Sequence, residues 1–172
     1  MVEVKGSLRS VGRAVLAAAV VCVVPIQALA VECRTIGTVK ESASVDTNTS
    51  KGGHLTQHIA GETPPPRLSQ ADKTLFTSPE AYLGVWRNYE SSNKIPNLNC
   101  SGPNPYHEIA VRDILPGVDR IGGFKCYGAN PDGTCSNQQR TKCDKIAFGY
   151  RLEGSNWILV TSYPTGVCTN TN

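Results

Sequence analysis

The chain has 172 residues and a formal net charge of +3; 40% of its residues are hydrophobic and 18% are charged. A chain of this length forms one domain with room for a real core, and a nearly balanced charge without a long basic block argues against a histone-like nucleic-acid binder. Beyond the first thirty residues no apolar stretch approaches the roughly 20 residues that cross a bilayer, which argues against an integral membrane protein.

The first thirty residues are typical of a secretory signal peptide. Lys5, Arg9 and Arg13 precede the apolar run 15–26. The sequence Ala28-Leu29-Ala30 follows, with small residues at the two positions that a cleavage site requires. Removing residues 1–30 takes away three cations and one acidic residue, so the formal charge falls from +3 to +1. We therefore expect a secreted or periplasmic protein that keeps no membrane anchor after signal cleavage and is a monomer.

Residues 31–51 follow the predicted signal peptide. From Ser42 onward this stretch is polar and aperiodic, which predicts a loop or mobile arm. We accordingly treat residues 31–51 as a flexible N-terminal segment and place the folded domain at residues 52–172.

The domain opens with residues 52–61. Leu55 and Ile59 share one stripe at helical spacing, two histidines share a neighbouring stripe, and Gly61 provides a stop, so the pattern predicts two helical turns. The triple proline that follows must be extended, because each proline biases its predecessor away from helix.

A stronger helical pattern covers residues 79–89. Pro79 suits the first helical position, Thr77 and Glu80 have the spacing of a capping box, and apolar residues recur on one face. Trp86 belongs to that face, and an aromatic side chain at helical spacing is more often in the core than in a binding site. We predict a helix here.

The next stretch is less regular. Residues 91–105 are rich in Ser, Asn, Gly and Pro, which predicts a loop, and residues 106–115 fit a short helix or a strand equally well. Residues 121–126 follow an imperfect strand pattern, and residues 128–141 are predicted to form a turn-rich excursion.

The last part of the chain predicts a β-hairpin. Large apolar residues at 146, 148, 150 and 152 alternate with the small or charged residues at 145, 147, 149 and 151, which is the period of a half-buried strand. Residues 153–156 form a turn, and residues 157–163 return as the partner strand, which Pro164 ends. Helices followed by strands predict an α+β fold, with N-terminal helices packed on a C-terminal antiparallel sheet in one disulfide-stapled domain.

Six cysteines lie beyond the predicted signal peptide, and Cys22 lies within it. An even number of cysteines in an exported chain, with no Cys-x-x-Cys, predicts three disulfides rather than a metal cage or redox centre. Fifteen pairings are open; we favour a local bridge within the group 126, 135 and 143, with the first and last cysteines fastening the two chain ends. The six are Cys33, Cys100, Cys126, Cys135, Cys143 and Cys168.

Three histidines bear on function. His54 and His58 are four apart, which on a helix brings both imidazoles within reach of one substrate atom or one ion. Leu55 stands where a zinc protease needs its glutamate base, so that interpretation fails; a plain metal pair and ordinary surface or capping histidines stay open. His107 is isolated in the sequence and is expected at the surface.

Two hydroxyl residues near the other end form a second element. Thr161 and Tyr163 are two apart in a predicted strand, so their side chains point to the same side and make a pair of donors. Read alone, both residues are also ordinary strand formers.

The order of these elements resembles bacterial secreted ribonuclease toxin domains. Two groups compete: the RNase A-like domain at the tips of contact-dependent inhibition proteins, and the EndoU-type domain of the barnase, EndoU, colicin and RelE-like fold. Both open with a Gly-His and a second histidine and end in a Thr-x-Tyr-Pro-like strand. The residues that carry the resemblance are Gly53-His54, His58-Ile59, Arg67-Leu68, Lys73-Thr74-Leu75-Phe76, Trp86 in its helix, and Val160-Thr161-Ser162-Tyr163-Pro164.

The resemblance implies a metal-independent endoribonuclease that cleaves RNA by attack of the 2′-hydroxyl and needs no cofactor. It implies proton transfer by His54 and His58, with Thr161 and Tyr163 as hydrogen-bond donors to the phosphate or as groups that orient the base. RNA is then the substrate, and an immunity protein is a candidate partner. In the RNase A-like group the two histidines are five apart, so the spacing of four leaves open which histidine is the base.

The phosphate of such a substrate needs a cation. Arg67 is favoured over Lys73, because a guanidinium can grip two phosphoryl oxygens at once. With so small a net charge, attraction to RNA would require a local cluster drawn from Lys51, Arg67, Lys73, Arg87 and Lys125. Tyr106 and Tyr127 are candidates for stacking on bases.

A second class of function competes with the ribonuclease. A disulfide-stabilised binding or inhibitor module without catalysis would share the leader and the cysteines. It predicts that the histidines lie far from Thr161 and Tyr163, whereas catalytic partners must share one cleft.

Overall fold

The computed structural model describes residues 31–95 and 98–171, so the predicted signal peptide lies outside the described residues. Four α-helices and five strands are found in them, and the α+β class of a single disulfide-bonded domain is confirmed. The helices are α1 (Gly37–Ser42), α2 (Val45–Asn48), α3 (Pro79–Ser91) and α4 (Val111–Ile114); the strands are β1 (Thr74–Phe76), β2 (Tyr106–Ala110), β3 (Ile121–Ala129), β4 (Cys135–Glu153) and β5 (Asn156–Asn170).

The long strand β4 organises an antiparallel sheet. β3 pairs with its first half and β2 with its second half, end to end along one edge, while β5 pairs along the other edge; β1 pairs with the far side of β3. Register shifts between Gly149 and Tyr150 and between Cys143 and Lys145 interrupt the pairing of β4 with β5. Such bulges bend a strand and re-aim its side chains.

Two predicted boundaries in the sheet are wrong. The turn-rich excursion over 128–141 is mostly strand, because β3 continues to Ala129 and β4 already begins at Cys135. Pro164 does not end the last strand, which runs to Asn170. A proline is tolerated there because β5 pairs only with β4 among the described strands and its other edge needs no donor at that position.

The helix predicted over 79–89 is confirmed and extends to Ser91. Its N-cap is Ser78 rather than Thr77: the Ser78 hydroxyl accepts a hydrogen bond from the Ala81 amide. Trp86 is buried as predicted, and the Tyr89 ring stacks on Phe148 of β4 with centroids 4.1 Å apart.

The structure also settles the two segments between α3 and β3. The ambiguous stretch 106–115 is neither all helix nor all strand, since strand β2 is followed directly by helix α4. The predicted loop 91–105 is confirmed for its described residues after Ser91, which contain no helix or named strand.

The prediction of a flexible segment over residues 31–51 is wrong, because this stretch forms α1 and α2 and packs into the domain. Three of its polar side chains, those of Arg34, Ser42 and Asn48, are buried. The buried Asn48 side chain donates to the carbonyls of Ser42 and Leu159, both at 2.7 Å, and accepts from the Leu55 amide at 2.8 Å. A sequence pattern that treats polar residues as solvent-facing cannot anticipate side chains that satisfy buried backbone groups.

The three predicted disulfides are present, as Cys33–Cys100, Cys126–Cys135 and Cys143–Cys168. The second is the favoured local bridge and closes the β3–β4 hairpin. The first joins the N-terminal end of the domain to the loop before β2, and the third joins β5, near the C-terminal end, to β4. No helix in residues 31–95 or 98–171 has the length and apolar character that crossing a membrane requires.

Candidate functional site

One open cleft of about 410 Å³ gathers the residues that the sequence had marked at opposite ends of the chain. It lies between the segment before β1, strands β1 and β3, and the middle of β5. Its lining includes His54, His58, Lys73, Lys125, Thr161 and Tyr163.

The two histidines are not on the predicted two-turn helix. Only Leu55–His58 forms a single 3-10 turn, and His54 precedes it. The His54 amide donates to the Val160 carbonyl of β5 at 2.7 Å, and Ile59 bridges to Phe76 of β1. Pairing with strands on both sides therefore replaces continued helix. The two imidazole centroids are 6.2 Å apart, close enough to act on one substrate.

A glycine makes this attachment tight. A Cβ atom at Gly53 would overlap the side-chain amide of Asn48, the same group that holds the Leu55 amide. Only glycine lets the chain pass so close to Asn48. The Gly-Gly that precedes His54 is thus a packing requirement as well as part of the motif.

His58 is held in one tautomer. Its Nδ1 lies 3.0 Å from the Thr74 carbonyl oxygen, which can only accept, so Nδ1 carries the hydrogen and the Nε2 lone pair is left to take a proton. The ring stacks on Tyr163, with centroids 4.5 Å apart and planes 20° apart. A neutral, oriented imidazole of this kind suits a general base.

Burial lowers the pKa of His58 to about 4; His54 and Lys73 add to the lowering, and the Thr74 carbonyl opposes it. The side chain is only 6% exposed. Burial also lowers the pKa of the half-buried His54, and Arg151 and Lys73 act in the same direction. An anion entering the cleft would raise both values, so the site electrostatically favours a negatively charged ligand.

Two lysines supply the positive charge of the cleft. Lys73 immediately precedes β1, and Lys125 is paired with Thr74 across the β1–β3 ladder, so both reach the same space. The Lys125 ammonium also donates to the Asp72 carbonyl. Sequence reasoning had named Lys73 as the second choice after Arg67 for the phosphate, and Lys125 only as one of a larger set of cations.

Arg67, the favoured phosphate ligand, does not line the cleft. It is exposed in a turn with a positive φ of 69°, directly after the triple proline. Lys51 pairs instead with Glu41 at 2.8 Å, and Arg87 lies on the exposed side of α3. Of the five cations predicted to form one cluster, Lys73 and Lys125 are the two that the structure brings to the cleft.

The hydroxyl groups of Thr161 and Tyr163 differ in their hydrogen bonding. Thr161 Oγ1 is buried and has no hydrogen-bond partner among residues 31–95 and 98–171. Tyr163 Oη lies 3.0 Å from Tyr106 Oη, which in turn donates to Glu108 at 3.1 Å. Because the Glu108 carboxylate can only accept, the Tyr106 hydroxyl donates its hydrogen bond to Glu108 and accepts one from the Tyr163 hydroxyl. Thr161 Oγ1 is therefore the hydroxyl whose proton is not committed to another group in the described part of the chain, and rotation of the side chain would bring it to a ligand in the cleft.

Tyr106 and Glu108 are site residues whose hydrogen-bonding role sequence reasoning missed. They are two apart in β2 and so share a face, but that signal could be read only if 106–115 was known to begin as a strand. His107, between them, points away from the cleft: its Nε2 is buried without a partner in the described part of the chain, and its ring lies 5.8 Å from Tyr150. His107 is therefore half-buried and not the fully exposed surface residue that the sequence predicted.

Within the described ranges, no three His, Cys, Asp or Glu side chains are grouped so that they could hold a metal ion. Comparison with known proteins gives no relative: no family model, no curated protein and no solved structure matches this chain. The function has to be argued from the geometry of the cleft.

Proposed function

We propose that this protein is a secreted endoribonuclease that cleaves RNA without a metal ion, by transphosphorylation to a 2′,3′-cyclic phosphate. The observation that carries the proposal is the meeting of His54 and His58 with Thr161 and Tyr163 in one cleft beside two lysines. The non-catalytic alternative predicts these groups far apart, whereas His58 and Tyr163 are in stacking contact.

The base in this mechanism is His58. Its Nε2 takes the proton of the ribose 2′-hydroxyl while that oxygen attacks phosphorus. The low pKa of His58 keeps the imidazole in the base form at neutral pH, and the Thr74 carbonyl keeps Nε2 as the accepting nitrogen.

The acid is His54. As the bond between phosphorus and the 5′-oxygen breaks, the imidazolium of His54 gives its proton to the leaving oxygen. The bound phosphate favours that protonated form, because it offsets the burial that otherwise lowers the pKa of His54. Lys73 and Lys125 balance the charge on the phosphoryl oxygens, and Thr161 donates a hydrogen bond to one of them.

Secretion is the second part of the proposal. It rests on the sequence of residues 1–30, which is typical of a signal peptide, and on three disulfides of the kind that persist in oxidising compartments. RNA outside the producing cell, or in a cell that the protein enters, is then the substrate, and an immunity protein would protect the producer.

The test is incubation of the oxidised protein with a single-stranded RNA in the presence of chelator. We expect cleavage with cyclic phosphate ends and no cleavage where the nucleotide 5′ of the bond carries a 2′-deoxyribose. His58→Gln should slow cleavage by about a hundredfold or more, whereas Arg67→Ala should cleave at the parent rate, since Arg67 lies outside the cleft. Intact RNA with the folded parent protein, or full activity of folded His58→Gln, would overturn the proposal.

A further inference from the structure

A second, smaller slot opens from the cleft. It has a volume of about 280 Å³ and lies where the start of β2 meets β4 and β5. Tyr106 and Thr161 line both spaces, so the slot adjoins the cleft. Most of the remaining wall is apolar; it is formed by Pro105, Gly149, Tyr150 and Val160, with Asn104 and Arg151 as polar residues at the slot.

Gly149 lets Thr161 pack tightly against β4 at the edge of the slot. A Cβ atom at position 149 would lie 3.0 Å from the Thr161 methyl carbon and 3.9 Å from Cδ2 of Tyr106. Gly149 has an ordinary strand conformation, with no positive φ that would demand glycine. The close approach of Thr161 is therefore the reason that a larger residue at position 149 would crowd this wall of the slot.

The walls favour a flat, largely apolar ligand with a polar edge. The Tyr106 ring is 47% exposed at the mouth of the slot and is held in place by its hydroxyl, which bonds to Tyr163 and Glu108. A fixed aromatic face is a stacking platform for a nucleobase. Thr161 lies between the slot and the cleft, where its hydroxyl serves the phosphate, and the polar edge of the base would face Asn104 and Arg151.

The size of the slot agrees with one base. Pockets that enclose drug-sized ligands have about 300 to 1,000 Å³, so a slot just below that range suits a single ring system whose attached sugar and phosphate extend outward. The adjoining cleft contains Lys73 and Lys125, which would lie beside such a phosphate.

We propose that this slot binds the nucleobase of a ribonucleotide whose phosphate lies in the cleft, with the base stacked on Tyr106. The identity of the phosphate-bearing chain rests on the proposed ribonuclease function, but base binding in the slot does not require cleavage. The proposal therefore concerns ligand recognition and can fail or succeed independently of catalysis.

The experiment measures dissociation constants of three probes: cytidine 3′-monophosphate, adenosine 3′-monophosphate and the base-free ribose 5-phosphate. We expect at least one nucleotide to bind the parent protein about fivefold or more tightly than ribose 5-phosphate. Tyr106→Ala should weaken nucleotide binding by about 5- to 100-fold, the range for one stacked base, with little effect on ribose 5-phosphate.

Two matched variants separate the ring from other effects. Tyr106→Phe keeps the ring and should keep the advantage of the nucleotide, although it loses the hydroxyl. Tyr127→Ala removes an equally exposed tyrosine, 49% against 47%, that lines neither space and should change nothing. If Tyr106→Ala does not fold, Tyr106→Leu removes the ring and keeps apolar bulk.

The outcomes distinguish the two proposals. A ring-dependent nucleotide preference with no RNA cleavage supports the slot and overturns the ribonuclease. RNA cleavage with equal affinity for nucleotides and ribose 5-phosphate overturns the slot and leaves the ribonuclease standing. A nucleotide preference that survives loss of the ring, in either variant, also overturns the slot.

Discussion

Acid should destabilise this protein through His58. Its folded-state pKa is about 4, against 6.5 for an exposed imidazole, because the ring is buried beneath Tyr163. Between these two values the unfolded chain binds more protons than the folded one, so the free energy of unfolding falls as pH falls through this window. This difference between the folded and unfolded pKa of His58 lowers the free energy of unfolding by about 2 kcal/mol from about pH 7.5 to pH 5, and by about 3 kcal/mol once the pH is below 4.

The assay is urea denaturation at about pH 7.5 and pH 5 with the disulfides intact, comparing the parent with His58→Gln. Glutamine does not titrate, and its amide can still donate to the Thr74 carbonyl. We expect the parent to lose about 2 kcal/mol more than the variant between the two pH values. His54→Gln serves as the control and should retain most of the parent's dependence. Equal losses in the parent and His58→Gln would refute the assigned pKa and its cause.

Three further outcomes follow from the contacts described above. Asn48→Ala should lower the free energy of unfolding by about 3 kcal/mol, because it leaves buried backbone groups without partners; a loss below about 1 kcal/mol in urea denaturation would contradict this. Burial, Tyr163 and the charge of Glu108 raise the pKa of Tyr106, so Glu108→Gln should lower that pKa. Carbon-13 NMR of the Tyr106 ring measures it, and an unchanged pKa would argue against the hydrogen bonds from Tyr163 to Tyr106 and from Tyr106 to Glu108. Replacing Cys33 and Cys100 by serine should cost about 4 kcal/mol by chain entropy, more than removing the disulfide of the β3–β4 hairpin; thermal and urea denaturation would test this order.

Local patterns predicted the regular parts of the fold. The helix around Trp86 was accessible because Pro79 and the apolar spacing agree, and the terminal hairpin because large apolar residues recur at every second position of residues 146–152. What the patterns could not show is how far tertiary pairing extends a strand. Pro164 reads as a stop in the sequence, yet on an edge strand it costs no ladder hydrogen bond.

The candidate site was accessible in part. The sequence singled out both histidines and the hydroxyls of Thr161 and Tyr163, and the structure places them in one cleft; their catalytic roles stay predictions. The choice between Arg67 and Lys73 could not be made from residue type, because it depends on where the turn after the triple proline points. Glu108 could not be predicted for a similar reason, because it contacts the site only through its hydrogen bond with the Tyr106 hydroxyl.

The position of His58, between the Thr74 carbonyl and the Tyr163 ring, makes the cleft a product of complete folding. Its parts come from the segment before β1 and from the last strand, with most of the domain between them. Contacts of such high sequence separation must offset the entropy of closing a long loop before they stabilise the chain. A chain whose last strand is missing or detached has neither the stacked ring nor the carbonyl partner that His54 needs from Val160. Whatever chemistry the cleft performs therefore requires the complete fold. A truncation before β5 would remove the partners that position both histidines, Val160 for His54 and Tyr163 for His58.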